Sequence, residues 1–271
     1  MQEYLLQFII DSINELNKAI TRINNLMIKD IFSGTNMTIV EELVQVSGVI
    51  CGAFAVMFLV MGIIEDLEQF DWRNVSIWYW MKYLARAILY STLAANSCKI
   101  CIWIYEALGI ITKKYSLALS TSDIMEKFPI DQLKESVLDM SKWEALVGIV
   151  TCFFPLIVVW IVEVAVDLMV TIREFYILIL AILSPLAVAN FVRRGYAGVR
   201  LFVNEYVATV GQSIVIVVGL KLFSGWILGV FSEDFSSLAV NTWQLAKGSL
   251  ALAVIVFGAK GLFKTVVDFS S

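Results

Sequence analysis

Residues 173–202 read REFYILILAILSPLAVANFVRRGYAGVRLF, and this stretch decides the fold of the chain. An uncharged run extends from Phe175 to Val192, and a basic turn follows it at Arg193, Arg194 and Arg200. At 1.5 Å of rise per residue, a helix over the uncharged run covers about 27 Å, close to the hydrocarbon thickness of a bilayer. We therefore expect a membrane-spanning helix, with the arginines as a cytoplasmic anchor.

A proline step, Ser184-Pro185-Leu186-Ala187, lies inside the uncharged run. Pro185 has no N–H and crowds the carbonyl of Ala181, so we expect the helix to kink or break there. Lipid tolerates such a position only where neighbouring protein satisfies the freed backbone groups. The step therefore predicts that this helix belongs to a packed bundle.

The composition is that of a protein with several membrane spans. Hydrophobic residues make up 59% of the 271 residues, charged residues only 16%, and the mean hydropathy is +0.82. The net charge is -4 and there is no basic block, so a nucleic-acid surface is not indicated. These values predict an all-α, polytopic integral membrane protein, with the lipid bilayer as its first partner.

Residue types needed for many enzymes are missing or poorly placed. The absence of histidine excludes Ser-His-Asp and Cys-His catalysis and histidine-bearing metal or haem sites. All four cysteines lie in apolar segments, where thiols behave as small hydrophobes, and we expect no disulfide between them. They are Cys51, Cys98, Cys101 and Cys152. We expect neither catalytic residues, nor a cofactor, nor a metal site.

The N-terminal residues, from 2 to about 32, have the pattern of an amphipathic helix. Apolar residues recur at spacings of three and four, at Leu6, Ile9, Ile13, Leu16, Ile20, Ile23 and Met27. The apolar seam could dock on the membrane or on the chain's own bundle, or it could join neighbouring subunits. Turn residues from Ser33 to Asn36 end the helix, so we divide the chain into an N-terminal helix, 1–36, and a transmembrane bundle, 37–271, with a polar loop at 115–144. Within this loop we expect a short amphipathic helix from Ile130 to Met140, and the capping-box spacing of Ser141 and Glu144 predicts the start of the next helix.

Further apolar segments supply the other spans. We place them at Leu43–Ile64, Ile77–Ile111, Ala145–Ile172, Gly211–Phe231 and Leu245–Val267. Two pairs of glycines four residues apart predict faces for close helix packing, within one subunit or between subunits. These pairs are Gly48 with Gly52 and Gly225 with Gly229.

The number of spans is either five or six. The distribution of lysine and arginine favours six spans with both termini inside. No glycine or proline separates Ile172 from Phe175, however, and the stretch from Ala145 to Val192 could therefore cross only once, which gives five.

Several charged residues fall within the apolar segments. Glu163, Asp167, Thr171 and Glu174 share one stripe of a helix because they are four, four and three residues apart. Such groups form either a polar seam between helices, paired with Arg173 or with lysines elsewhere, or the lining of an aqueous passage. The candidates for either role are Lys99, Glu163, Asp167, Arg173, Glu174 and Lys221.

Residues 177–223, ILILAILSPLAVANFVRRGYAGVRLFVNEYVATVGQSIVIVVGLKLF, carry a resemblance to a known family. The run resembles the signature region of the TrbL/VirB-type polytopic inner-membrane subunit of type IV secretion and conjugation machines. Pro185, Leu186 and Ala187 match its proline step, Arg193 and Arg194 match its basic turn, and Phe202 matches an aromatic position near the start of the next helix. The specific match lies within these 47 of the 271 residues.

The resemblance implies a homo-oligomeric, non-enzymatic component that forms or scaffolds the translocation path for DNA or protein cargo. Its implied partners are copies of itself, other secretion-machine subunits including separate ATPases, and the cargo in transient contact. The residues alone leave two other classes open. These are a secondary transporter or permease subunit, although no internal repeat is seen, and a structural or holin-like membrane protein.

Overall fold

The computed structural model describes residues 2–69, 77–120, 128–189, 196–232 and 238–266. The described residues form seven helices and no strand, which confirms the all-α class. The helices are α1 (Gln2–Ile28), α2 (Thr35–Gln69), α3 (Ile77–Ser120), α4 (Ile130–Leu138), α5 (Lys142–Ala189), α6 (Tyr196–Ser232) and α7 (Leu238–Val266).

Five of the described helices are long and apolar enough to cross a membrane. The segments that qualify are Thr35–Ile64, Trp80–Leu117, Lys142–Ala189, Val199–Val230 and Val240–Val266. They carry many large apolar side chains on their outer faces, such as Val49, Trp103 and Val254. A soluble protein rarely exposes so much apolar surface, whereas lipid covers it without cost. The chain is therefore a multi-pass membrane protein.

The two apolar runs on either side of Arg173 belong to one helix. Helix α5 is continuous over 48 residues, from Lys142 to Ala189. The alternative with six spans needs a turn near Arg173 and is therefore wrong for this structure. The physical reason is local: no helix-breaking residue lies there, and the buried Arg173 finds hydrogen-bond partners without leaving the helix.

The predicted polar loop at 115–144 is shorter than expected. Helix α3 continues to Ser120, and the expected short amphipathic helix is present as α4, Ile130–Leu138. The start of α5 is confirmed by a reciprocal capping box. The amide of Ser141 donates to Glu144 Oε2 at 2.7 Å, and the amide of Glu144 donates to Ser141 Oγ at 3.2 Å.

The described residues divide into two compact units, each built from segments distant in the sequence. The first unit contains the described residues of 2–29, 109–172 and 211–266. The second contains those of 30–108 and 173–210. Helices α3, α5 and α6 each contribute one part to each unit.

Helix α1 docks on its own chain within the first unit. Its buried face joins a core with α4, α5, α6 and α7 that includes Leu133, Val166 and Ile216. The predicted seam is confirmed from Ile9 to Met27, but at its start Leu5 is fully buried and Leu6 only partly. Of the interpretations left open, docking on the chain's own bundle accounts for the burial of this face.

A short turn connects α1 to α2. Helix α1 ends at Ile28, earlier than predicted, and α2 begins at Thr35. Gly34 adopts a φ of 57°, a left-handed conformation that glycine reaches without strain. Its carbonyl accepts from the amides of Met37 and Thr38, at 3.1 and 3.4 Å. The turn therefore covers residues 29–34, and only Ser33 and Gly34 of the predicted stretch lie in it.

Candidate functional site

The proline step lies within an unbroken helix. Helix α5 passes through Pro185 and ends at Ala189, so the expected break does not occur. Pro185 cannot donate to the carbonyl of Ala181, and the hydroxyl of Ser184 donates to that oxygen instead, at 2.7 Å. Ser184, Pro185 and Ala181 are all buried.

Side chains of α2 bond to the backbone around the step. Ser47 Oγ donates to the carbonyl of Ile182 at 2.8 Å, and Cys51 Sγ donates to the carbonyl of Pro185 at 2.8 Å. Ser47 and Cys51 are four residues apart, so they project from the same face of α2. This face therefore supplies two donors to one turn of α5.

Helix α3 contributes the remaining contacts of the step. The hydroxyl of Ser184 lies 3.1 Å from Ser97 Oγ, and the hydroxyl of Tyr90 is hydrogen-bonded to the Cys51 thiol. The Tyr90 hydroxyl also donates to the carbonyl of Cys51 at 3.2 Å. The expectation that neighbouring protein satisfies the freed carbonyl is wrong, because Ser184 of the same helix donates to Ala181, while α2 donates to the nearby carbonyls of Ile182 and Pro185. We call Ser47, Cys51, Tyr90, Ser97 and Ser184 the proline brace.

The other residues of the family-like motif are placed only in part. Leu186 and Ala187 follow the proline on α5 and are half-buried. Arg193 and Arg194 lie outside the described residues. Phe202 lies in α6, where its ring stacks on that of Tyr206 with centroids 6.2 Å apart.

Glu163 and Asp167 share one guanidinium, that of Arg22 on α1. The Arg22 Nη2 atom lies 3.2 Å from Asp167 Oδ2 and 3.7 Å from Glu163 Oε1. The Arg22 side chain is 54% exposed, whereas those of Glu163 and Asp167 are 16% and 32% exposed. The carboxylate pair therefore forms a polar seam between α1 and α5. Its partner is Arg22, not the predicted Arg173.

Arg173 forms a second polar contact, in the other unit. It is only 5% exposed, and it donates from Nε to the carbonyl of Thr209 and from Nη2 to that of Val210, each at 3.1 Å. The Glu174 carboxylate and the Tyr206 hydroxyl interact electrostatically with its guanidinium. The planar guanidinium of arginine can donate to two adjacent carbonyls at once, and these two hydrogen bonds link the middle of α5 to α6.

The remaining candidates for a polar passage are less buried. Lys99 lies on an exposed face of α3 and Lys221 on an exposed face of α6. Thr171 is exposed, and its hydroxyl bonds to the carbonyl of Asp167 at 3.0 Å. The geometry of these described residues is that of separate interhelical contacts and exposed cations.

The predicted glycine faces do not mediate packing inside this chain. Gly48, Gly52, Gly225 and Gly229 are exposed, and a Cβ atom at any of them would meet nothing within 4 Å. Within the part of the chain that the structure describes, α2 packs instead through the neighbouring face of Ser47 and Cys51.

The close approaches of helices occur at other glycines. A Cβ added to Gly211 would lie 2.2 Å from the ring of Phe263, and one added to Gly248 would lie 2.0 Å from the ring of Trp226. Both pairs join α6 to α7. Neither glycine belongs to a pair spaced four residues apart, so the spacing rule gave no signal for them.

Sequence reasoning also missed the brace and the arginine of the seam. The spacing of the apolar residues places Arg22 on the opposite, polar face of α1 and does not pair it with Glu163 or Asp167. A signal for part of the brace was present, because Ser47 and Cys51 are small groups with a hydrogen to donate, one helical turn apart in an otherwise apolar span. Nothing in the sequence pairs them with Pro185.

The fold and these contacts define the class of the protein, a helical multi-pass membrane protein with internally braced spans. Comparison with family models, with curated proteins and with solved structures gives no match.

Proposed function

We propose that this chain is a membrane-embedded, homo-oligomeric subunit of a type IV secretion or conjugation machine that forms or scaffolds the translocation path across the cytoplasmic membrane. The proposal extends the resemblance of residues 177–223 to the TrbL/VirB-type subunit. Separate ATPases would supply the energy, and DNA or protein would be the cargo. The chain itself would catalyse no reaction.

The observation that carries the proposal is the construction around Pro185. The residues that make the sequence resemble the family are the ones around which α2 places two donors, Ser47 and Cys51, and α3 places an acceptor, Ser97 Oγ. A proline in the middle of a span costs about 3 kcal/mol in an ordinary helix. A chain that has this proline and surrounds it with hydrogen-bond donors holds the helix in the particular geometry that the proline imposes. A translocation path through a membrane assembly needs helices held in such fixed positions.

Exposed features of the bundle support assembly with further copies. Gly48 and Gly52 leave a shallow, open face on α2, to which a second helix could approach closely. Lys99 and Lys221 are exposed on spans, where an unpaired cation in lipid is costly. In an assembly, such side chains would face another subunit or an aqueous passage.

The experiment compares two prolines of the same helix. Cells from which the chain has been deleted receive the wild type, Pro185→Ala or Pro155→Ala, and transfer of a conjugative plasmid or a secreted protein is measured at equal membrane levels of each variant. Pro155 is also buried in α5 but lies outside the family-like motif. It is therefore the matched control.

We expect Pro185→Ala to lower transfer by about tenfold or more, since an added N–H competes with Ser184 for the Ala181 carbonyl and shifts the braced turn. Pro155→Ala should transfer like the wild type. Equal transfer by all three would contradict a role for the step. A loss confined to Pro155→Ala would also contradict it.

A further inference from the structure

A groove of about 350 Å³ lies between α1 and α5 in the first unit, with Leu245 of α7 at its base. Its walls are apolar and aromatic, and they include Phe8 from α1 and Phe153, Leu156 and Trp160 from α5. This volume lies within the range of small-molecule sites, roughly 300–1,000 Å³. Trp160 is 64% exposed, so an indole ring stands open beside the groove.

The polar part of the groove is acidic. Three carboxylates line it, those of Asp11 and Glu15 on α1 and that of Glu163 on α5. Among the described residues that line it there is no lysine or arginine. The groove therefore combines an apolar wall with a rim of one charge sign.

Cations of the chain neutralise this rim only in part. Lys18 Nζ lies 2.7 Å from Glu15 Oε1, but both side chains are largely exposed, so the pair is weak. Arg22 approaches Glu163 at 3.7 Å and lies closer to Asp167, at 3.2 Å. Asp11 accepts a hydrogen bond from the Gln7 amide at 2.8 Å, which leaves its charge in place. The three carboxylates of the groove, together with Asp167 beside it, face two cations, Lys18 and Arg22, so negative charge remains in excess.

This combination selects a particular class of ligand. An apolar or aromatic body fills the walls, while a positive charge satisfies the rim and favours the face of an exposed indole. An anionic phospholipid would bring its net negative charge towards the carboxylates and be repelled. A neutral apolar molecule would leave the rim without a counter-charge.

We propose that the groove between α1 and α5 binds a lipophilic organic cation, with the charge among Asp11, Glu15 and Glu163 and the apolar body against Phe153 and Trp160. The bound cation would contact both α1 and α5 and hold α1 in its position beside α5. The inference concerns the first unit alone and does not rest on the proposed role in translocation.

Two ions of nearly the same size and shape, but of opposite charge, test the proposal. The full-length protein is placed in phosphatidylcholine nanodiscs, and binding of tetraphenylphosphonium and tetraphenylborate is measured by equilibrium dialysis, after subtraction of empty nanodiscs. We expect saturable binding of about one tetraphenylphosphonium per chain and no saturable binding of tetraphenylborate. Equal binding of the two ions, or binding of neither, would overturn the proposal.

Variants then locate the site. Glu15→Gln and Glu163→Gln should each raise the Kd for tetraphenylphosphonium about threefold or more, and Trp160→Leu should do the same. Glu135→Gln removes an exposed carboxylate of α4 that does not line the groove, and its Kd should equal that of the wild type. Glu15 is exposed and contributes little to packing, so its variant reports on binding even if Glu163→Gln unfolds α1. An unchanged Kd in both Glu15→Gln and Trp160→Leu would place the bound cation elsewhere and overturn the proposal.

Discussion

The hydroxyl of Ser184 donates a 2.7 Å hydrogen bond to the carbonyl oxygen of Ala181, the acceptor that Pro185 deprives of its helical N–H. One residue thus compensates for the next within a single turn of α5. The contacts from Ser47 and Cys51 surround this turn with further donors. The expected effects of disturbing the brace and the other contacts can be measured separately.

Replacing Ser184 by alanine should lower the free energy of unfolding by about 1–3 kcal/mol, because a buried carbonyl loses its donor. Thermal unfolding in mild detergent, followed with a thiol-reactive dye, measures the change. All four cysteines are free thiols and buried, so the dye reacts with them only when the chain unfolds. Thr171→Ala removes an exposed hydroxyl of the same helix and is the control. In a Pro185→Ala background the loss should shrink, because the restored N–H serves the Ala181 carbonyl; additive losses would contradict the compensation.

Removal of the Arg22 guanidinium should loosen α1. Arg22→Gln leaves Glu163 and Asp167, one turn apart and partly desolvated, without their cation, and the cost should be about 1 kcal/mol or more. Hydrogen exchange along α1 measures it, with faster exchange expected. Lys18→Gln breaks the exposed pair with Glu15 and serves as the control with little expected effect. Exchange in α1 that is the same in both variants would contradict the seam.

Arg173 should not tolerate lysine. The Arg173→Lys variant keeps a positive charge but replaces a fork that reaches two carbonyls, those of Thr209 and Val210, by a single ammonium. We expect a loss of about 1–3 kcal/mol in the free energy of unfolding, measured in the same thermal assay. Unfolding of Arg173→Lys at the wild-type temperature would mean that charge alone, without the fork, satisfies this position.

The contact between α6 and α7 should be sensitive at Gly248 and insensitive at Gly225. Gly248→Ala places a methyl group against the Trp226 ring, which must move, and overpacking of this kind costs about 1–3 kcal/mol. Gly225→Ala adds the same methyl where nothing lies within 4 Å, so its unfolding temperature should stay the same or rise slightly. The reverse order of the two unfolding temperatures would show that these helices pack differently.

Substitutions on the exposed face at Gly48 and Gly52 test whether this face forms a contact between subunits, without disturbing the packing of the single chain. Two leucines there, Gly48→Leu with Gly52→Leu, have free space within the chain but would prevent close approach by a second helix. We expect the double variant to unfold at the wild-type temperature and to give fewer cross-linked oligomers in native membranes. Gly109→Leu, which also has free space, is the control. Oligomers as abundant as in the wild type would remove this face from the subunit interface.

The sequence predicted the elements that depend on local pattern. Composition and apolar runs placed the spans, the three-and-four spacing placed the seam of α1 from Ile9 onward, and the spacing of Ser141 and Glu144 placed the start of α5. These features depend on residues a few positions apart, which is the range over which periodicity and capping act.

The sequence failed where the outcome depends on contacts between distant segments. Whether Arg173 ends a span or lies inside a helix depends on the carbonyls of Thr209 and Val210, more than thirty residues away. The partner of Glu163 and Asp167 is an arginine on α1. The face through which α2 packs lies one residue before each glycine of the pair Gly48 and Gly52. Rules of spacing and capping cannot choose between partners that are distant in the sequence, because the free energy that favours one partner comes from packing of the whole bundle.

The central claim, that this chain is a subunit of a translocation machine, is tested most directly by transfer from cells that lack it while the other machine subunits remain. The account predicts that conjugative transfer or secretion falls to background on deletion and returns when the wild-type chain is supplied from a plasmid. Transfer that continues at the wild-type rate after deletion would contradict the account.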